Sequence, residues 1–280
     1  MGLISDFVAG RMPPALYEEY LTPGFFTPWT DALLAQSPPR GRVLDVASGT
    51  GAVSRAIARH GSDLTVAAID VAPPMIQFAE TATDAAGLSD RVAFTLASAD
   101  QLPFEDQSFD SAFCQQGLQF FPDKVAALKE MKRVLRPGGQ AAVSVWTSAA
   151  NGNPPFAALE DIIADRIGAD QVPFGPFAYG DKAAIEQNAE AAGLTIISLE
   201  EQTRMTRLPA ARTVLLFDLL FLGRPAEDGA LQPIFDPADE SKDPLIAELI
   251  TAFEAATSEF IEPDGTMHCP STANVLIAQA

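Results

Sequence analysis

Between residues 42 and 146 short apolar runs alternate strictly with helical segments, and this alternation restricts the chain more than any other feature. Residues 42–47 read as a strand that ends in a glycine-containing turn, 52–60 as a helix, 64–70 as a second strand and 73–86 as a second helix. Pro73 and Pro74 fall in the first turn of that second helix, where a missing N–H costs little. Residues 91–97 and 109–114 read as further strands. Residues 123–135 form a helix with Val125, Leu128, Met131, Val134 and Leu135 on one face, closed by Gly138-Gly139. Residues 140–146 are the fifth strand. Such alternation implies a parallel sheet covered on both faces.

The flanks read differently. Residues 1–36 carry prolines at 13, 14, 23 and 28, which permit only short helices, expected at 14–21 and 28–36. After Trp146 the alternation stops. We expect a helix at 156–167, an irregular aromatic stretch at 172–179, a helix at 182–192, a strand at 194–200, helices at 210–222 and 244–260, and a last strand at 274–279. One domain is expected: an N-terminal helical cap (1–36), a core (37–147), lid segments (148–180 and 205–265) and closing strands (181–204 and 271–280).

Residues 1–147 hold 16 acidic and 11 basic residues, whereas residues 148–280 hold 21 and 7, so most of the formal charge of −19 lies in the second part. A charge of this sign argues against nucleic acid or an anionic membrane as partner. The most apolar window, 214–222, is interrupted by Asp218 and is far short of the ~20 residues of a membrane span. With two cysteines, Cys114 and Cys269, the chain has no disulfide framework, and no metal-ligand spacing is present. The N-terminus lacks a signal-peptide pattern, so a cytoplasmic location is expected.

The first strand, turn and helix contain Val43-Leu-Asp-Val-Ala-Ser-Gly-Thr-Gly51. Gly49 and Gly51 let the backbone turn tightly and approach a ligand, and the helix behind presents free N–H groups. The second strand ends at Asp70, whose carboxylate can accept both hydroxyls of a ribose lying across the strand ends. The competing structural role of Asp70 is to cap the helix ahead of Pro73. Two ligand classes use such a turn. A dinucleotide wants Gly-x-Gly-x-x-Gly, but Ser54 stands at the sixth position. Asp45 beside the turn would repel a pyrophosphate and suits the ammonium of S-adenosylmethionine.

These residues, with Ala67-Ala-Ile-Asp70, Leu102-Pro-Phe-Glu-Asp-Gln-Ser-Phe-Asp110 and Glu130-Met-Lys-Arg-Val-Leu-Arg-Pro-Gly-Gly139, resemble the class I S-adenosylmethionine-dependent methyltransferases. The resemblance is to the small-molecule group (methyltransferase type 11) that includes ubiquinone and menaquinone C-methyltransferases. It implies a Rossmann-like α/β fold with a seven-stranded, mostly parallel sheet. It implies that Asp45, Ala47, Gly49 and Gly51 line the methionine end of the cofactor. Asp70 would hold the ribose, and Val71 and Met75 would flank the adenine. The family's Asp-Ala at the adenine edge is Ser98-Ala99 here, followed by Asp100. Gln115 and Gln116 would stand beside the methionine moiety, and Gln119 and Phe120 occupy positions where many relatives carry histidine.

The implied reaction is direct displacement of a methyl group from S-adenosylmethionine onto a small-molecule acceptor, leaving S-adenosylhomocysteine and needing no metal. Aromatic faces can stabilise the sulfonium; Tyr17, Tyr20, Phe26, Trp29, Phe120 and Phe121 are the candidates, Tyr20 and Trp29 foremost. Of these, Phe26 and Phe121 are read as core. Of the two histidines, His60 ends a helix and suits its dipole, while His268 is the candidate base. The acidic lid favours a neutral or cationic acceptor, and the oligomeric state is left open. An alternative is a non-methylating, cofactor-binding module, regulatory or catalysing a rearrangement on the same fold.

Overall fold

Strands whose side chains are apolar on both faces must be covered on both faces, and the pairing follows that demand. The structure is a computed structural model and describes residues 2–8, 10–169, 175–221, 224–225 and 231–280. Its elements are α1 (Leu3–Val8), α2 (Pro13–Tyr20), a π-helical turn (Thr22–Phe26), α3 (Thr27–Gln36), β1 (Arg42–Val46), α4 (Ala52–His60), β2 (Thr65–Asp70), α5 (Pro73–Ala85), β3 (Val92–Leu96) and β4 (Phe109–Gln115). A 3₁₀ turn (Leu118–Phe120), α6 (Lys124–Val134), β5 (Leu135–Trp146), α7 (Pro154–Arg166), α8 (Lys182–Ala191), β6 (Thr195–Leu208) and α9 (Ala211–Phe221) follow. The short β7 (Arg224–Pro225) and β8 (Leu231–Gln232), then α10 (Asp243–Ala256) and β9 (Met267–Gln279), complete the chain.

Seven strands form one sheet in the order β3-β2-β1-β4-β5-β9-β6. β1 pairs in parallel with β2 and β4, β2 with β3, and β4 with β5, whereas β9 runs antiparallel to β5. The sheet is thus mostly parallel, as the alternation implied. Chain order reverses at β1, between β2 on one side and β4 on the other, and in such sheets ligands bind where the order reverses, at the carboxyl ends of the strands. Leu44, Val46, Ala112, Cys114, Val143 and Val145 are fully or nearly fully buried. Ala127, Leu128, Met131 and Val134 of α6 close the same core.

The chain divides into two compact units. One comprises Met1–Phe25, Thr147–Ala178 and Thr203–Thr272; the other comprises Phe26–Trp146, Tyr179–Gln202 and Ala273–Ala280 and contains most of the sheet. The sequence drew the cap to residue 36, but α3 falls in the sheet-containing unit, where Trp29 meets Trp146 edge-on with ring centroids 5.5 Å apart.

Several expected boundaries are corrected. Helix α6 stops at Val134, one residue before its expected end, and β5 starts at Leu135 rather than at Gln140, because Leu135 turns extended and pairs with Phe109; the register then shifts before Ser111 meets Gln140. β6 continues past residue 200 to Leu208, and the last strand starts at Met267, not at 271 or 274. The early part of that strand alternates, with Met267 and Cys269 buried and His268 exposed, a period-two pattern too short and polar to read in isolation. The helix α1 and the π-helical turn were not expected. Residues 172–174 of the irregular stretch and residue 222 of the expected helix lie outside the described residues.

Candidate functional site

The turn after β1 is built by local necessity. Ala47 leaves the strand with φ +57°, and Gly49 and Gly51 follow with φ +53° and +78°, all in the left-handed region. A side chain at Gly51 would stand 2.9 Å from the Phe94 ring and 3.1 Å from Ala79, so this position needs glycine twice over. At Gly49 a Cβ would meet nothing within 4 Å; the constraint there is the backbone alone. The Ser48 N–H donates to the Ile69 carbonyl at 2.9 Å and the Gly51 N–H to the Ser48 carbonyl at 2.8 Å, which closes the turn onto β2.

Asp70 ends β2 beside that turn. Its Oδ2 accepts from the Gly49 N–H at 2.8 Å and its Oδ1 from the Ala72 N–H at 2.9 Å. Asp70 is not the expected N-cap of α5, which is Ala72 without a side-chain cap; its carboxylate instead holds the Ala72 N–H at the approach to α5 and pins the glycine turn, a role the sequence did not announce. The Ala97 N–H donates to the Asp70 carbonyl at 3.0 Å, which brings Ser98, Ala99 and Asp100 next to it. Ser98 and Asp100 are exposed and Ala99 is buried. Val71 is 66% exposed, an apolar side chain left on the surface next to Asp70, and Met75 is half-buried one turn into α5.

Asp45 is 1% exposed and accepts a short hydrogen bond of 2.5 Å from the Ser54 hydroxyl in the first turn of α4. Burial pushes its carboxyl up to about 7, against the lowering effect of Ser54. The sequence reading left Ser54 as the residue that breaks the dinucleotide pattern; the structure makes it the partner of Asp45. Arg55, also buried, donates to the Thr50 carbonyl at 2.6 Å and holds the turn from below.

The segment after β4 converges on the same turn. Gln116 has φ +54°, and its N–H donates to the Ser144 carbonyl at 2.9 Å. A side chain on Gly117 would lie 2.7 Å from the Ala47 Cβ, so glycine there lets the two strand ends touch. Gln115 donates from Nε2 to the Phe26 carbonyl at 3.2 Å. Asp45, Ala47, Gly49, Gly51, Asp70, Val71, Met75, Ser98, Ala99, Asp100, Gln115, Gln116 and Trp29 thus all belong to the sheet-containing unit. Sequence reasoning missed Gly117, whose close approach to Ala47 is non-local, and Ser144, for which a polar residue inside the apolar run Val143-Ser-Val145 was the available signal.

Tyr20 and His268 belong to the other unit. The Arg11 guanidinium donates to the Tyr20 hydroxyl at 2.9 Å and lies 5.5 Å over its ring, and Phe7 stacks on it at 5.8 Å. His268 is 45% exposed at the start of β9, with Nδ1 3.9 Å from Glu262. Both cysteines are free; burial pushes the Cys114 thiol up to about 12, which leaves it unreactive. Among the described residues there is no cluster of three or more His, Cys, Asp or Glu that could hold a metal, and no helix is long and apolar enough to cross a membrane.

The two other motifs are structural. Arg133 donates to the carbonyls of Leu102 and Phe104 and to Asp106 and Glu130, while Glu130 accepts the Leu102 N–H at 2.9 Å. Asp110 pairs with Arg136 and accepts the Arg42 N–H at 2.8 Å.

Known proteins place this architecture. The ubiquinone/menaquinone biosynthesis C-methyltransferase UbiE of Geotalea daltonii is 38% identical over 106 residues, 38% of this chain and 45% of that protein. Methyltransferase GfsG of Streptomyces halstedii is 30% identical over 197 residues, 68% of this chain and 66% of that protein. The chain thus spans about half the length of the curated relatives it matches. Among solved structures, Haemonchus contortus phosphoethanolamine N-methyltransferase 2, in complex with phosphomonomethylethanolamine and S-adenosylhomocysteine, has a TM-score of 0.57 at 17% identity, covering 100% of this chain and 60% of that one. The [4+2]-cyclase SpnF has a TM-score of 0.52 at 20% identity, covering 90% and 80%. These structural likenesses show the fold. A methyltransferase domain family matches residues 44–143, from the middle of β1 to the middle of β5. With the glycine turn, the Asp70 junction and both structural motifs inside that span, residues 44–143 of this chain belong to the methyltransferase domain family.

Proposed function

We propose that the chain transfers a methyl group from S-adenosylmethionine to a small neutral or cationic molecule. The observation that carries this reading is the junction of Gly49 and Asp70, 2.8 Å apart at the point where strand order reverses, within the residues matched by the methyltransferase family. When bound, the cofactor supplies an electrophilic methyl on a sulfonium, and S-adenosylhomocysteine is the product.

The residues fit this group. Each Asp70 oxygen spends one lone pair on the backbone and keeps another for a ribose hydroxyl. The open space over Gly49 and the buried, unpartnered Ser48 hydroxyl suit the methionine end. Exposed Val71 and half-buried Met75 would cover the adenine, with Ser98 and Asp100 at its edge. Asp45 would balance the ammonium. Trp29 and Trp146, each 1% exposed, are core residues in this structure and present no open aromatic surface to the sulfonium. The chain's contribution to rate is to hold donor and acceptor in line and to exclude water; alignment alone is worth up to roughly 7–11 kcal/mol. No proton step is routed through His268, whose exposure and loose pairing with Glu262 do not distinguish it.

The test is calorimetric titration with S-adenosylmethionine and with NAD, followed by mass-spectrometric detection of S-adenosylhomocysteine over a metabolite panel. Cofactor binding, no NAD binding and acceptor-dependent turnover are expected. NAD binding would overturn the reading. Cofactor binding without turnover would favour the non-methylating alternative, which the fold shared with a [4+2]-cyclase keeps in view.

A further inference from the structure

Five side chains near the carboxyl ends of the central strands carry buried polar atoms with no hydrogen-bond partner. They are Gln115 through Oε1, Gln116 and Gln119 through both carboxamide atoms, Ser144 through its hydroxyl and Asn274 through Oδ1. Gln116 and Gln119 are 7% and 8% exposed, and all five residues belong to the sheet-containing unit. Native proteins leave few such atoms, and a concentration of them in one place marks a spot that water or a ligand must satisfy.

Their placement is coherent. Gln115 and Ser144 are register partners in β4 and β5, so their side chains stand on one face of the sheet. Trp146, two residues beyond Ser144, shares that face. Trp29 meets it edge-on at 5.5 Å, and Phe26 lies 6.2 Å away. Asn274, the register partner of Val145, stands on the opposite face and takes no part in this cluster. Gln116 is held in a left-handed conformation that carbon side chains rarely adopt, a kind of strain that gathers at functional sites. Gln119 lies three residues on, buried in the 3₁₀ turn that follows.

None of these side chains is charged. The nearby carboxylates, Asp45 and Asp70, already hold Ser54, Gly49 and Ala72, and their remaining lone pairs are the ones proposed for the cofactor. We propose that Gln116 and Gln119, backed by Gln115 and Ser144, select a neutral, planar methyl acceptor that presents a donor and an acceptor side by side, as an amide edge does. A carboxamide offers one N–H donor and one oxygen in the same plane, the complement of such an edge. A carboxylate acceptor would lose its hydration here and meet no cation, and an ammonium would meet no free carboxylate. Only the word acceptor rests on the methyl-transfer reading; the selection of a neutral amide edge rests on the cluster.

The probes are benzamide, benzoate and benzylammonium, titrated calorimetrically into the full chain with S-adenosylhomocysteine present, and again without it. Benzamide should bind, and at least about tenfold more tightly than either charged probe. Gln119→Leu should weaken benzamide about tenfold while S-adenosylhomocysteine affinity stays within about twofold. Its melting temperature should not fall, because a carboxamide without partners contributes nothing that leucine removes. Gln116→Asn, which tolerates the left-handed backbone, should weaken benzamide as well. Four results would overturn the proposal: a charged probe that binds as well as benzamide, no benzamide binding at about 10 mM, an unchanged Gln119→Leu affinity, or a melting temperature lowered by several degrees in that variant. Failure of S-adenosylhomocysteine to bind counts against the methyl-transfer reading alone, and the titrations without it then decide the amide proposal.

Discussion

Asp70 Oδ2 accepts the Gly49 N–H at 2.8 Å, so the carboxylate that ends the second strand fixes the turn that ends the first. A ligand that draws on Asp70 is therefore bound to a group already oriented by the fold, and the cost of ordering that carboxylate has been met before binding. The same bond explains why strand, glycine turn, helix and terminal acid recur as a unit in this sequence: each part is the hydrogen-bond partner of another.

Replacement of Asp70 should separate the two roles. In Asp70→Asn the remaining oxygen still accepts the Gly49 N–H, so stability should change by less than about 1 kcal/mol. S-adenosylmethionine affinity should nevertheless fall at least tenfold, about 1.4 kcal/mol, because a charge-assisted acceptor is lost. Asp70→Ala should lose the same affinity and also about 1–2 kcal/mol of stability, as two N–H groups lose their acceptor. Calorimetry and urea denaturation measure the two effects; unchanged affinity in a folded Asn variant would remove the ribose role.

The sheet was legible because its strands are apolar on both faces and its turns contain glycine, two signals that are local. Asp70 and the glycine turn were legible for the same reason. What stayed hidden was non-local. Ser54 reads as a failed glycine until Asp45 is seen beneath it. Leu135 reads as the last helical residue, because nothing in the sequence says that Phe109 pairs with it. The early part of β9 alternates too briefly to announce a strand, so His268 reads as a loop residue. Gln116 reads as a neighbour of the methionine moiety and Gln119 as standing where relatives carry histidine, but neither reading announces their burial, which depends on where the segment after β4 returns.

Asp45 makes the stability of the fold depend on pH. Its carboxyl is raised to about 7 by burial, well above its unfolded value. Between about pH 4 and pH 7 the native state therefore holds a proton that the unfolded chain has released. The contribution of this group is fully present below pH 4, declines as pH rises through that window and is gone above it, a loss on the order of 4 kcal/mol. Asp45→Asn keeps an oxygen for Ser54 and has nothing to ionise. Denaturation midpoints taken from pH 4 to pH 8 should fall less steeply in the variant, which should be the more stable protein at pH 8; parallel curves would contradict the assignment.

Arg133 ties the segment before β4 to α6 through two carbonyls and two carboxylates. These are charge-assisted bonds on a guanidinium that is about one-third exposed, so solvent screens part of their strength. Arg133→Ala should cost about 2 kcal/mol in urea denaturation with an unchanged slope. S-adenosylmethionine affinity should stay within about twofold, since the residue contacts structure rather than the turn. A large loss of affinity at unchanged stability would move this motif from the scaffold to the site.

The two glycines of the turn should respond differently to the same added methyl group. Gly51→Ala meets the Phe94 ring at 2.9 Å and Ala79 at 3.1 Å at a φ of +78°, so it combines a left-handed penalty with overpacking. We expect a stability loss of about 2–4 kcal/mol. Gly49→Ala shares the left-handed backbone, with φ +53°, but its methyl group enters open space. Its stability loss should be only about 1 kcal/mol. That open space is where the proposed methionine end of the cofactor would lie, so Gly49→Ala should weaken S-adenosylmethionine by more than tenfold, a larger effect on binding than on folding. Paired urea titrations and calorimetry on the two variants check the contrast, and a Gly49→Ala protein that binds the cofactor normally would place the methionine end elsewhere.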